Sequence, residues 1–113
     1  MDLDNFRERR RFLRVRADFD LRFLSKDIEG KGFSSDISKI GIGLFTRNYL
    51  PPNSPVEIWI EDPLNKKEPL HVNARTVYSK EINFFIYRIG VEIDSADIPK
   101  INEFLKNHYL LSS

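Results

Sequence analysis

Cysteine is absent from the chain, and histidine occurs only twice, at His71 and His108. The first absence excludes disulfides, thiolate metal sites and a cysteine nucleophile. The two histidines are far apart and lack the carboxylate pattern of a zinc site, so no metal or other cofactor is expected. Long hydrophobic runs are also missing. No segment approaches the roughly 20 apolar residues that a membrane-spanning helix needs. From Asp2 to Arg16 the chain is charged and has no apolar stretch of the kind a signal peptide carries. Direct membrane insertion is therefore not expected, and a cytoplasmic location is the default. No nucleophile–base pair and no paired-carboxylate site stands out, so the reading is of a protein that is not an enzyme.

What is present is enough for one compact domain. The 113 residues are 41% hydrophobic and include nine phenylalanines, which can build a core without covalent staples. Net charge is only +1, but it is unevenly spread. Residues 1–16 hold Arg7, Arg9, Arg10, Arg11, Arg14 and Arg16 against Asp2, Asp4 and Glu8, a net +3, which leaves −2 for the rest. A basic arm on a mildly acidic body suits an anionic partner met at one place. The arm contains no lysine, although lysine is common later. Arginine's planar fork pairs bidentately with phosphate or a guanine edge, which a merely solubilising tail does not require.

Beyond the arm, short strands alternate with turn signals. Val15 to Phe23 alternates apolar and polar residues and reads as one half-buried strand. Lys26-Asp27 and Glu29 to Gly32 punctuate a turn before a short strand reaching Phe33, and Ser34 to Gly41 reads as polar and turn-like. Further strands follow at Gly43-Leu44-Phe45, at Val56 to Glu61, at Leu70 to Tyr78 and at Phe85 to Ile93. Six short strands so spaced predict a small antiparallel β-barrel. One helix closes the chain at about 97–110. Ser95 or Asp97 can cap it, Pro99 suits its first turn, and Ile98, Ile101, Leu105 and Tyr109 form a stripe to pack on the barrel. Trp59 is expected to pack against a neighbouring strand, Arg75 and Arg88 to pair across strands with glutamates, and both histidines to lie at the surface.

Two constellations carry chemistry. In the arm, Arg10 and Arg14 are four residues apart, or about 13 Å along an extended chain, with Arg9 before them. Arg7 and Arg11 share that spacing, which leaves the register open. The second constellation is Asp36-Ile37-Ser38-Lys39-Ile40-Gly41, followed by Gly43. Asp36 can organise a turn through its own side chain, and Gly41 permits a positive φ or a close approach. A carboxylate can also accept two parallel hydrogen bonds, as the N1 and N2 donors of guanine offer, while arginine forks onto guanine O6 and N7. The serine hydroxyl and nearby amides suit a phosphate, or the fixing of the aspartate.

In this order and separation, Arg10-x-x-x-Arg14 and Asp36-x-Ser38-x-x-Gly41 resemble the RxxxR and D/N-x-S-x-x-G motifs of the PilZ family, bacterial receptors for cyclic di-GMP. Tyr87 to Ile93 is similar to the family's last barrel strand. The resemblance implies a six-stranded antiparallel PilZ-type barrel over residues 15–113, with a C-terminal α-helix, preceded by a flexible basic arm over residues 1–14. It implies cyclic di-GMP held on the outer barrel surface by Arg10, Arg14, Asp36 and Ser38, with Gly41 letting the loop approach. Arg14 directly precedes the strand at Val15, as the family pattern requires. Arg9 occupies the position that, in family members taking up two intercalated ligands, carries an extra arginine. The arm would order on binding and relay the signal to an unidentified effector protein. Two alternatives are a small barrel binding RNA or single-stranded DNA, and a PilZ-like scaffold acting by protein contact alone. Nucleic acid is disfavoured because Asp36 would repel a general polyanion.

Overall fold

The computed structural model describes residues 15–16, 18–65 and 67–110. Among the described residues there are seven strands: β1 (Val15–Arg16), β2 (Asp20–Ser25), β3 (Ile28–Ile37), β4 (Gly41–Thr46), β5 (Pro55–Ile60), β6 (Leu70–Asn83) and β7 (Ile86–Ile93). They join in the order β1-β3-β2-β5-β6-β7-β4, and β4 pairs back onto β3. Strands β2 to β7 thereby close an antiparallel six-stranded barrel, and closure removes the free edges that an open sheet would expose. The expected barrel is present, as is the expected helix α1 (Ile98–Leu105), which a π-helical turn extends over Lys106–Leu110.

The alternating patterns read from the sequence fill this barrel. Phe23, Leu44, Ile58, Ile60, Val72 and Ile89 are almost wholly buried, at successive inward positions of their strands. Helix α1 adds Ile101, Phe104 and Leu105 to the same core, so its stripe packs on the barrel as expected. The Tyr109 side chain lies outside the described residues. Pro99 occupies the first turn. The expected cap is not formed. Asp97 sits at the N-cap position, but its carboxylate accepts the Asn73 backbone N–H at 2.7 Å and lies 3.4 Å from the Lys100 ammonium. Anchoring the helix to β6 takes the place of capping. Those donors hold the Asp97 pKa below the ordinary carboxylate value, the Asn73 N–H contributing most.

Three local readings are corrected. The strand expected from Val15 to Phe23 is broken: β1 and β2 both pair with β3, on its second and first halves respectively. At the break, Phe19 exchanges bonds with Ser34, its N–H donating to Ser34 Oγ at 3.0 Å and its carbonyl accepting the Ser34 N–H at 2.9 Å. The stretch from Ser34 to Gly41 is not all turn, because β3 runs through to Ile37. Polar residues occur in it because that part of the strand faces outward or bonds across the break. His108 is not a surface residue either. Its ring lies 4.4 Å from that of Phe104 and 5.2 Å from that of Phe19, and its Nε2 is 2.8 Å from Asp62 Oδ1. The last helical turn is thus pinned to the barrel. His71 is half-buried, 3.1 Å from Glu57 and against the Trp59 ring.

Candidate functional site

The site starts from an irregularity in β3. The register to β4 slips between Ser34 and Asp36, so Ser35 is an extra residue in the strand. Regular alternation would turn Asp36 inward with Ser34. The bulge shifts the alternation by one, and Ser35 and Asp36 both face outward while Ile37 returns to the core. Asp36 is therefore an acid on the outer wall of the barrel, with 16% of its side chain exposed.

Asp36 is held from two sides. Oδ1 accepts the backbone N–H of Gly43 at 3.1 Å, and Oδ2 lies 3.5 Å from Arg88 Nη2. The carboxylate so bridges β3, β4 and β7, rather than organising the turn that follows it. Gly43 is needed for this closeness, since a Cβ there would lie 2.7 Å from Oδ1 and 3.1 Å from Ser35 Oγ. Ser35 Oγ in turn donates to the Gly43 carbonyl at 3.2 Å.

The turn is organised by Ser38 instead. Its N–H donates to the Gly41 carbonyl at 2.9 Å, and its hydroxyl oxygen accepts the Gly41 N–H at 3.2 Å and that of Ile40 at 3.4 Å. The hydroxyl thus closes its own turn and does not fix Asp36. Gly41 has no positive φ; its role is close approach, since a Cβ would lie 2.9 Å from the Val91 carbonyl. The Ile40 carbonyl accepts the Ile93 N–H at 2.9 Å, which ties the turn to β7.

Arg88 adjoins Asp36 of the candidate site, although the sequence suggested a cross-strand pair with glutamate. Its register partners are Phe45 and Lys80. The guanidinium lies over the Phe45 ring at 5.5 Å, and Nε donates to Tyr78 Oη at 3.1 Å. The bond to Tyr78 is the largest influence raising the Arg88 pKa above its ordinary value, with Asp36 adding to it. Arg75 does lie opposite a glutamate, Glu92 of β7, and its Nη1 donates to the Asn53 carbonyl at 3.1 Å. Trp59 packs beside His71 and under Arg22, 5.6 Å away, as its strand position suggested.

In β1, Arg16 is the Cα partner of Asp36 and Val15 that of Ile37. Arg9, Arg10 and Arg14 lie outside the described residues. Among the described residues there is no group of three His, Cys, Asp or Glu side chains that could hold a metal ion, and no helix long and apolar enough to cross a membrane.

Arg16 of β1 therefore lies opposite an outward acid. The sequence matches the PilZ domain over residues 8–107. The chain belongs to the PilZ domain family. Among solved structures, this PilZ domain is similar to the Bacillus subtilis inhibitor of motility MotI/DgrA, at 16% identity and TM-score 0.68, over 90% of this chain and 52% of that one. It therefore spans about half the length of that protein. It is also similar to the PilZ domain of YcgR from Escherichia coli with c-di-GMP, at 15% identity and TM-score 0.66, over 92% of each chain. A third likeness is to the PilZ domain of CeSA from a cellulose-synthesizing bacterium, at 16% identity and TM-score 0.64, over 89% of this chain and 99% of that one. At such identities the likeness is one of fold. No curated protein matches the sequence.

Proposed function

We propose that this PilZ domain is a non-enzymatic receptor for cyclic di-GMP, held between the arginine arm and the outer wall of the barrel at Asp36 to Gly41. The observation that supports this best is the pairing of Arg16 with Asp36, because it sets a residue only two positions beyond the arm opposite an outward carboxylate. Arg14 is one residue before β1, and Arg10 is one extended span earlier. In this reading Asp36 accepts the N1 and N2 donors of one guanine. One arginine forks onto O6 and N7, and the other pairs with a phosphate. Ser38 and Gly41 shape the loop against which the ligand rests, and Arg9 addresses a second ligand molecule. The dianion neutralises the arm and orders residues 1–14 across the barrel, which creates a new surface for an effector protein. A nucleotide second messenger is a cytoplasmic ligand, so the reading places the receptor there.

Isothermal titration with cyclic di-GMP tests the site. Arg14→Ala and Asp36→Ala each remove a bidentate contact of about 1–3 kcal/mol, so each should weaken binding by roughly 5- to 150-fold. Cyclic di-AMP and GTP should bind far more weakly than cyclic di-GMP. Unchanged affinity in both variants rules the site out. A steep salt dependence without nucleotide selectivity points instead to a single-stranded nucleic acid.

A further inference from the structure

The Asp36 carboxylate does not stand alone on the barrel wall. A connected series of side chains runs from β7 and β6 to it, and the motifs contain none of them. Gly90 begins the series: a Cβ there would lie 2.3 Å from the Tyr78 ring, so the missing side chain is what lets that ring lie across β7. So placed, Tyr78 Oη accepts Nε of Arg88 at 3.1 Å. Arg88, lying over Phe45, then presents Nη2 to Asp36 Oδ2 at 3.5 Å.

We propose that Arg88, fixed by Tyr78, is a positioning residue that aims and neutralises Asp36 for guanine recognition. The inference rests on the receptor reading above. Two physical arguments carry it. The first is orientation. The Gly43 N–H fixes one carboxylate oxygen and Arg88 the other, so the plane of the carboxylate is set before a ligand arrives. The second is charge. A bare carboxylate would repel a dianionic ligand, and a guanidinium 3.5 Å away offsets that charge. Arg88 suits the task because its side chain is two-thirds shielded, with 33% exposed, and its fork can engage Tyr78 and Asp36 together.

The test is a double-mutant cycle in the full chain, read by titration with cyclic di-GMP and with cyclic di-AMP. Arg88→Ala should weaken cyclic di-GMP binding about tenfold, the scale of one charged hydrogen bond. It should narrow the preference over cyclic di-AMP, which lacks the N1–H and N2–H pair. In an Asp36→Asn background the same substitution should cost less than about twofold, because the group it positions is already altered. Tyr78→Phe removes one exposed hydroxyl and leaves Arg88 in place. It should give a smaller loss, about threefold, with the same dependence on Asp36 and an unchanged thermal midpoint. This second variant carries the test if Arg88→Ala does not fold. Equal losses in both backgrounds would mean that Arg88 touches the ligand itself, and would overturn the inference while leaving the receptor reading intact. So would undiminished or tighter binding by both variants. No binding of cyclic di-GMP by the unaltered chain overturns both readings together.

Discussion

Gly43→Ala offers the sharpest test of how Asp36 is held, because its effect on folding and its effect on the ligand can be separated. Gly43 lies in β4 opposite Asp36 on one side and Gly90 on the other, and its backbone has no positive φ. Alanine can therefore adopt the same backbone, and in an unobstructed strand it would stabilise the protein by about 0.5–1 kcal/mol. The strand is obstructed. The new Cβ would lie 2.7 Å from Asp36 Oδ1, closer than real contacts allow, and 3.3 Å from Arg88 Nη2. The carboxylate must swing away, which breaks its 3.1 Å bond from the Gly43 N–H. A hydrogen bond to a charged group is worth about 1.5–3 kcal/mol, so the net cost should be about 1–2 kcal/mol after the backbone gain. For a domain of this size that corresponds to a fall in thermal midpoint of about 4–8 °C. Trp59, the single tryptophan, provides a fluorescence probe of unfolding in urea, and circular dichroism gives the melt. Binding of cyclic di-GMP should fall with the displaced carboxylate by about tenfold or more. In an Asp36→Ala background the 2.7 Å clash disappears, and the remaining close approaches, to Ser35 Oγ at 3.1 Å and Arg88 Nη2 at 3.3 Å, are to side-chain ends that can shift. There Gly43→Ala should leave stability unchanged or improve it by up to about 1 kcal/mol. Equal destabilisation in both backgrounds, or none in either, refutes the reasoning that Asp36 is clamped at Gly43.

Two other outcomes are expected. Asp97 has a folded-state pKa below its unfolded value of about 3.9, so it contributes stability that is complete above that value and is lost as the pH falls through the lower folded one. Asp97→Asn should lower the urea midpoint at pH 6 and flatten its decline below about pH 4, whereas a decline parallel to that of the unaltered protein would place the acid sensitivity elsewhere. Arg9→Ala should leave the first cyclic di-GMP bound and abolish the second, so titration should give one ligand per chain; a stoichiometry unaffected by the substitution removes Arg9 from the site.

Much of this architecture is legible in the sequence because it depends on period. Val56, Ile58 and Ile60 alternate in sequence and are buried in the barrel, as are Val72, Ala74 and Thr76. The alternation misleads only where the strand itself departs from it. Tyr78 continues the face of Thr76 on paper, but a register shift between them turns it outward, leaving it 40% exposed. The same happens at Ser35 in β3, where the shift makes Asp36 accessible at all. Bulges of this kind leave little trace in composition. Val15 to Phe23 similarly looks continuous, and its break becomes visible only once Ser34 is seen to bond with Phe19.

Asp36, Ser38 and Gly41 of the candidate site stand out in the sequence because those residues are neighbours in the chain. Arg88 and Tyr78 escaped because their relation to Asp36 depends on closure of the barrel. Arg88 is 52 residues from Asp36, and the two meet only because β4 lies between β3 and β7. Strand alternation correctly put Arg88 outside, but alternation cannot say which side chain of a neighbouring strand an outward arginine will find. A glutamate was the statistical answer, and register set Phe45 and Lys80 opposite instead. With no acid directly across, the guanidinium reaches diagonally past Gly43 to Asp36, a path that any side chain at Gly43 would narrow. The glycines at 43 and 90 are therefore the sequence signal that could have found it. Each marks a place on the outer wall where another side chain must lie against the backbone, one of them Asp36 and the other Tyr78. Two such places facing each other across β4 and β7 are paired in register, and Arg88 is the residue positioned to join them.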